Sequence, residues 1–389
     1  MSWIDELISR YCPKGVEFSA LGDLCTIETG KLNANAAVEG GDYPFFTTAQ
    51  EIGQIDTWRW DTEALLVAGN ANVGDVKHYI GRFEAYQRTY VLTSFSSCLS
   101  VRFLFYYLQS SLQHYLQTKT NIAAMTYIVL GTLKGFKIPV PPLEVQQEIV
   151  RILDKFTELE AELEAELERR RKQYEHYRDR LLTFADSRER VRWAPISEVG
   201  TFLRGGGPQK KDFTEAGVGC IHYGQIYMHY GIHAAKPLTF VESSVAAKSR
   251  QAEPGDVIIA VTSENDEDLG KSVAWLGQDS IAISNHTLIF TSDLNPKYVS
   301  YFLASRAFHL QKRRHVIGTK VRSLPSKAFD SIQIPVPSKE VQNQIVRTLD
   351  SFEMLVHDLS SGLPAEIAAR RKQYEFYRDR LLSFAELSA

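Results

Sequence analysis

The chain has 389 residues, enough for two or three domains with a sizeable buried core. Apolar residues make up 44% and charged residues 23%, which excludes a disordered or fibrous protein; no apolar run approaches the roughly 20 residues of a membrane helix. Net charge is −3, so bulk charge does not attract nucleic acid, and any DNA binding must rest on local patches or on help from partners.

The opening residues, Met1-Ser2-Trp3-Ile4-Asp5-Glu6, lack a basic stretch followed by an apolar one and are not expected to form a signal peptide. Residues 1–15 are read as a short helical segment. Cys12, Cys25, Cys98 and Cys220 are scattered without a Cys-x-x-Cys pair, the pattern of reduced thiols in a cytoplasm rather than of disulfides or a cysteine-rich zinc site.

Residues 16–142 are rich in Gly, aromatic and β-branched residues in short runs, such as Ala64-Leu65-Leu66-Val67-Ala68. They predict strands broken by turns, with a helix near Val101–Gln117. The stretch from Pro139 to Pro142 should be extended and end this domain. Residues 143–190 read as a long helix in which Ile149, Phe156, Leu163, Tyr177 and Phe184 lie on a seven-residue spacing, with Ile152, Leu159, Leu167, Tyr174 and Leu181 between them. Within it, Thr-Glu-Leu-Glu, Ala-Glu-Leu-Glu, Ala-Glu-Leu-Glu (157–168) is a four-residue repeat, a run of stutters relative to heptads.

Residues 191–337 return to the strand-and-turn pattern, as in Asp256-Val257-Ile258-Ile259-Ala260-Val261, with a helix over Pro296–Lys312 and a closing Pro335-Val336-Pro337. Residues 338–389 are helical again; Ile345, Phe352 and Leu359, then Ile367, Tyr374 and Leu381 repeat the apolar spacing, and Gly362 and Pro364 should interrupt the helix.

The second half repeats the first. Residues 138–156 (IPVPPLEVQQEIVRILDKF) and 334–352 (IPVPSKEVQNQIVRTLDSF) agree at 13 of 19 positions with an offset of 196. Residues 170–185 and 370–385 agree at 14 of 16 with an offset of 200. A fainter match relates Val16–Gly30 to Val191–Gly205. Two near-identical helical regions separated by unlike domains imply that the helices pack on each other. The expected fold is α+β: two globular mixed α/β domains separated by two long antiparallel helices forming a coiled coil, pseudo-two-fold and circularly closed.

Motifs of chemistry are incomplete. Gly270-Lys271-Ser272 ends like a nucleotide-binding loop, but Asn265 stands where its first Gly belongs. Asn295-Pro296-Lys297-Tyr298 differs from the Asn-Pro-Pro-Tyr of amino-methyltransferases at Lys297 and reads as a helix start. His222, His229 and His233 lack a Cys or clear carboxylate partner for a metal. The acidic run Glu264-Asn265-Asp266-Glu267-Asp268 reads as a solvated loop. The chain is expected to catalyse nothing itself and to hold no cofactor.

Charge is uneven. Residues 16–142 hold 9 basic and 11 acidic groups, 143–190 hold 10 and 13, and 191–337 hold 16 and 13. The last region concentrates Lys312, Arg313, Arg314, His315, Lys320, Arg322 and Lys327, a cluster suited to phosphate and base-edge contacts or equally to a solvated helix end. Further hydrogen-bonding candidates for DNA are Thr47, Thr48, Gln50, Asn70, Asn72, Lys77, His78, Lys119, Asn121 and Tyr127, then His222, Tyr223 and Gln225; Asn and Gln suit adenine and Arg suits guanine.

The paired Ile-Pro-Val-Pro blocks at 138 and 334, Leu153-Asp154-Lys155-Phe156, the Glu-Leu repeats and the two Arg-Lys-Gln-Tyr-x-x-Tyr-Arg-Asp stretches resemble the DNA-specificity subunit of type I restriction-modification systems. The resemblance spans nearly the whole chain in layout. It implies that 16–142 and 191–337 are target recognition domains, each reading half of a split duplex DNA target. It also implies that the helical regions 143–190 and 338–389 set the spacer and dock two methyltransferase subunits in a complex with motor-nuclease subunits. S-adenosylmethionine, ATP and Mg²⁺ would belong to those partners. Ile149, Phe156, Leu163, Tyr174, Tyr177, Leu181, Ile345, Phe352, Tyr374, Tyr377 and Leu381 are the candidate partner or inter-helix residues. Two other classes fit parts of the sequence: a coiled-coil scaffold whose end domains bind proteins, and a methyltransferase with a divergent cofactor site.

Overall fold

The computed structural model describes residues 6, 10–119, 127–184, 191–357 and 362–387. In chain order the first half contains β1 (Glu17–Ala20), β2 (Thr26–Thr29), β3 (Tyr43–Phe46), β4 (Gly53–Ile55), β5 (Trp60–Ala68), β6 (Val76–Ala85), β7 (Thr89–Thr93), α1 (Val101–Lys119), β8 (Lys137–Val140) and α2 (Leu143–Thr183). The second contains β9 (Arg192–Pro195), β10 (Gly200–Arg204), β11 (Phe213–Thr214), β12 (Val218–Ile221), α3 (Tyr223–Met228), β13 (His233–Ala234), β14 (Thr239–Val241), β15 (Arg250–Ala252) and β16 (Val257–Ala260). It continues with β17 (Thr262–Ser263), β18 (Ser272–Trp275), β19 (Ile281–Ile283), β20 (Thr287–Ser292), α4 (Pro296–Leu303), α5 (Arg306–Lys312), β21 (Arg322–Ser323), β22 (Gln333–Val336), α6 (Lys339–His357) and α7 (Leu363–Leu381). No helix among the described residues is long and apolar enough to cross a membrane.

The chain forms two compact units, Met1–Leu163 with Ile367–Ala389, and Glu164–Glu366. These cut across the sequence segments: each unit takes one variable domain and part of each helical region, and the boundary falls inside the four-residue repeat.

In the first unit a six-stranded sheet runs β2-β7-β5-β6-β3-β4, antiparallel except where β3 meets β6. Alternation along β5 feeds two cores. Leu65 and Val67 pack toward α1 with Phe103, Leu104 and Leu108. Ala64 and Leu66 pack on the other face with Phe46, Trp60 and Phe83, where Trp60 stacks on Phe83 at 5.4 Å. A small ladder joins β1 to β8 and closes the domain beside the start of α2.

The second unit repeats this order as β10-β20-β16-β18-β13, with β13 parallel to β18 and the other pairs antiparallel. Val257 and Ile259 of β16 face α4 and α5, while Ile258 and Ala260 face the opposite side. That side is covered by α3 and by residues of an additional five-stranded sheet, β11-β14-β12-β19-β15. The β9·β22 ladder stands where β1·β8 stands in the first unit. The faint match between residues 16–30 and 191–205 therefore marks equivalent strands.

The helix expected over Pro296–Lys312 is two helices. Asn295 caps α4, its Oδ1 accepting from Lys297 N and Tyr298 N at 3.0 and 3.2 Å. Ser305 then starts α5 by accepting from Phe308 N, while its hydroxyl donates to Phe302 O at 2.6 Å; a cap in mid-run ends one helix and opens the next. The expected interruption is found: Gly362 falls between α6 and α7, and Pro364 stands in the first turn of α7.

Helix pairs complete each unit antiparallel. In the first, Phe156 of α2 stacks on Tyr377 of α7 at 5.5 Å and Glu160 pairs with Arg371. In the second, Tyr177 of α2 stacks on Phe352 of α6 at 5.5 Å, and Leu181 and Phe184 pack beside Ile345. These are the same pairs exchanged between copies, because Phe352 repeats Phe156 and Tyr377 repeats Tyr177. Circular closure is thus visible inside each unit.

Candidate nucleic-acid interface

In the first unit the turn from β5 to β6 and the loop after β3 come together. Ala71 and Gly74 both take positive φ, which reverses the chain over a few residues. Asn72 Nδ2 donates to Thr48 O at 2.8 Å. Lys77 Nζ donates to Ala49 O at 3.0 Å and pairs with Asp75 at 2.7 Å. Thr47 Oγ1 accepts from Ala49 N, and Gln50 is exposed beyond it. Asn70 bridges to Tyr127, and Ile128 N donates to Gly69 O at 2.7 Å. The Arg88 guanidinium lies 5.8 Å from the Tyr127 ring, and both line a polar cavity of about 280 Å³ with Gly69, Gln87, Tyr90 and Ile128.

Of the expected residues, Thr47, Gln50, Asn70, Asn72, Lys77 and Tyr127 gather at one loop corner, whereas Thr48 is buried beneath it and contributes only its carbonyl to Asn72. His78 does not join it; its Nε2 meets Glu63 across the β5–β6 pair at 2.8 Å. Lys119 ends α1, and Asn121 lies outside the described residues. Arg88 was missed because it sits in a short β-turn with no motif around it.

The second unit builds the equivalent corner differently. Gly270 N donates to Ala260 O, as Gly74 N does to Ala68 O, and Leu324 N donates to Val261 O, as Ile128 N does to Gly69 O. The loop between β16 and β18 is the acidic run, and it is engaged rather than merely solvated. Asp266 pairs with Arg322, whose guanidinium holds its carboxyl below the usual range. Asp268 pairs with Lys271 at 2.6 Å. Beyond α5 the chain makes a small hairpin, with Ile317 bridged to Ser323 and Gly318 at positive φ. Arg313, Arg314 and Lys320 are exposed there, as is Lys327 further on. His315 meets the Ser331 hydroxyl at 3.1 Å.

Lys312 departs from the expected cluster. It is 1% exposed, and its ammonium donates to Leu269 O. Burial lowers its pKa to about 8. Formal charge marked it as a surface contact; the fold turns it inward. His222 and Gln225 are occupied in capping α3: Gln225 Oε1 accepts from His222 N at 2.9 Å, and His222 Nδ1 accepts from Gly224 N at 3.2 Å. Tyr223 packs between His222 and His286 at 4.4 and 5.2 Å. His222, His229 and His233 occupy a helix cap, the other end of α3 and β13.

Most of the candidate helix residues line the packed faces of their units, whereas Tyr177 is exposed apart from its stack on Phe352. Ile149 and Leu381 are in the first core with Tyr374 and Tyr377 against it. Tyr174 and Ile345 are in the second, with Leu181 and Phe352 against it. Leu163 is half-buried at the unit boundary.

A domain, its following helix and a second copy of both define a two-repeat protein, and comparison with known proteins places it in a family. The family model described as the type I restriction modification DNA specificity domain matches residues 13–169 and again 195–369. The chain belongs to that family. It is 37% identical over 262 residues to the specificity subunit of the Escherichia coli EcoR124I/EcoR124II type I restriction enzyme, a match covering 64% of this chain and 63% of that subunit. A putative specificity subunit from Haemophilus influenzae is 27% identical over 366 residues, 89% of each chain. In fold the chain is similar to the type I S subunit of M. genitalium, with a TM-score of 0.56 at 16% identity, covering 95% of this chain and 96% of that one.

Proposed function

We propose that this chain is the DNA specificity subunit of a type I restriction-modification complex. Each recognition domain reads one half of a bipartite duplex target, and the helices fix the unread spacer between them. Supporting this is one observation: the same sheet and helix pair is built twice, and each copy offers a differently furnished loop corner at the same topological place. Amides, Tyr127 and Arg88 furnish the first; Arg313, Arg314, Lys320 and the Asp266-paired Arg322 furnish the second. Side chains of both kinds suit base edges and phosphates.

The chain itself performs no chemistry in this reading. Two methyltransferase subunits dock on the helical regions, bind S-adenosylmethionine and modify a flipped adenine; motor-nuclease subunits use ATP and Mg²⁺, and the whole assembly works in the cytoplasm. Mapping N6-methyladenine by long-read sequencing, in cells with the partner subunit and with or without this gene, tests the assignment. A split motif that vanishes on deletion is the expected result. Unchanged methylation with an active partner favours the protein-binding scaffold instead.

A further inference from the structure

Two polar contacts recur between each repeat-constant helix and the variable domain before it. In the first unit Gln146, fully buried, donates to Pro141 O at 2.7 Å and Cys98 O at 2.9 Å and accepts from Ser100 N at 2.7 Å. Two turns further along α2, Asp154 Oδ1 accepts from the Tyr106 hydroxyl at 2.5 Å and from Arg102 Nε at 2.8 Å. In the second unit Gln342 donates to Pro337 O at 2.9 Å and accepts from Asn295 N at 2.8 Å. Eight residues on, Asp350 accepts from the Tyr301 hydroxyl at 2.8 Å and pairs with Lys297 at 2.5 Å.

The glutamine and aspartate keep the repeat offset of 196. Their partners Ser100/Asn295, Arg102/Lys297 and Tyr106/Tyr301 keep an offset of 195, although the variable domains share little other sequence. Apolar packing is non-directional and leaves a helix free to roll or slide. Hydrogen bonds are directional and fix one register; here Gln146 and Gln342 are buried, whereas the Asp154 and Asp350 carboxylates sit at the edge of the contact, 44% and 34% exposed. Tyr106 and Tyr301 are both almost fully buried, so their hydroxyls have little access to water as an alternative partner.

We propose that Asp154 and Asp350, with Gln146 and Gln342, are positioning residues that lock each recognition domain in one orientation on its helix and so set the spacer length the protein accepts. This rests on the bipartite reading above. One base pair changes the separation of the half-sites by about 3.4 Å and their relative rotation by about 35°. A domain held at one angle rejects that change, and one freed to roll accepts part of it.

The test uses the full chain assembled with its methyltransferase subunits. Methylation rates are measured on DNA carrying the native spacer and spacers one base pair shorter or longer. Asp154→Asn keeps the shape and an acceptor oxygen but removes the charge that Arg102 meets. Its preference for the native spacer should fall by about two- to fivefold, the scale of one partly exposed charge-assisted hydrogen bond, while base changes inside either half-site are rejected as before. A uniform loss of rate with the preference intact overturns the lock, and so does loss of half-site discrimination. Should Asp154→Asn not assemble, Tyr106→Phe removes a single hydroxyl, and an unchanged preference there overturns it equally. A wild-type complex that methylates no split site defeats the underlying reading instead.

Discussion

The two recognition domains share a strand order and differ in what covers the far face of the sheet. In the first, Phe46, Trp60 and Phe83 with Tyr79 seal that face by aromatic packing. In the second, a further five-stranded sheet and α3 cover it, with Ile221, Ile226, Ile281 and Ile283 in the buried layer. The near face, toward the helices, is built alike in both. Variation is therefore concentrated on the side away from the helix pair, and a domain can change its furnishing without disturbing its seat.

The largest test of this comparison is in the seat. Leu153 and Leu349 are fully buried at equivalent positions of α2 and α6. Replacing either by Ala should cost about 2–5 kcal/mol. Calorimetry of the intact chain should show each substitution moving the transition of its own unit alone; one substitution moving both equally would mean that the units do not unfold separately.

A second test concerns Lys312. At the corresponding corner of the first unit Leu116 is buried beside Gly74. The unfolded chain holds the Lys312 proton up to about pH 10.4, whereas the folded chain releases it near 8. Between these values the unfolded state binds more protons, so this group makes stability rise with pH. Wild type should gain up to about 2–3 kcal/mol relative to Lys312→Leu between pH 7 and pH 10. Denaturant titrations at several pH values check this, and parallel curves for the two proteins contradict it.

The smallest effect tests the exchange of helices between repeats. Double-mutant cycles to Ala should give a coupling of about 0.5–1.5 kcal/mol for Phe156 with Tyr377 and for Phe352 with Tyr177. Phe156 with Tyr177, on the same helix of the same repeat, should show none. A coupling inside one repeat that matches the crossed pairs would refute the exchanged arrangement.

Much of the helical framework was legible in the sequence, since near-identity at constant offsets identified Phe156 with Phe352 and Tyr177 with Tyr377. The shared sheet order was not. Ala64–Ala68 and Val257–Val261 satisfy the same alternation with different residues, and apolar patterning specifies faces rather than strand neighbours. In the candidate interface, loop residues far apart in sequence such as Thr48, Asn72 and Tyr127 were chosen one by one by chemistry, and only the fold made them neighbours. Lys312 was misplaced because charge is a property of the residue and burial a property of its surroundings.

The unit boundary also has a consequence for the order of folding. Glu164–Glu366 is one continuous stretch, whereas the first unit needs Ile367–Ala389 to complete it. Leu381 and Leu382 must return to a core containing Val145, Ile149 and Leu153, a closure across more than half the chain. During synthesis the C-terminal unit has all its residues first, and the N-terminal unit, although made earlier, stays unfinished until the last helix emerges. The order in which the two units have all their residues is thus the reverse of the usual N-to-C order.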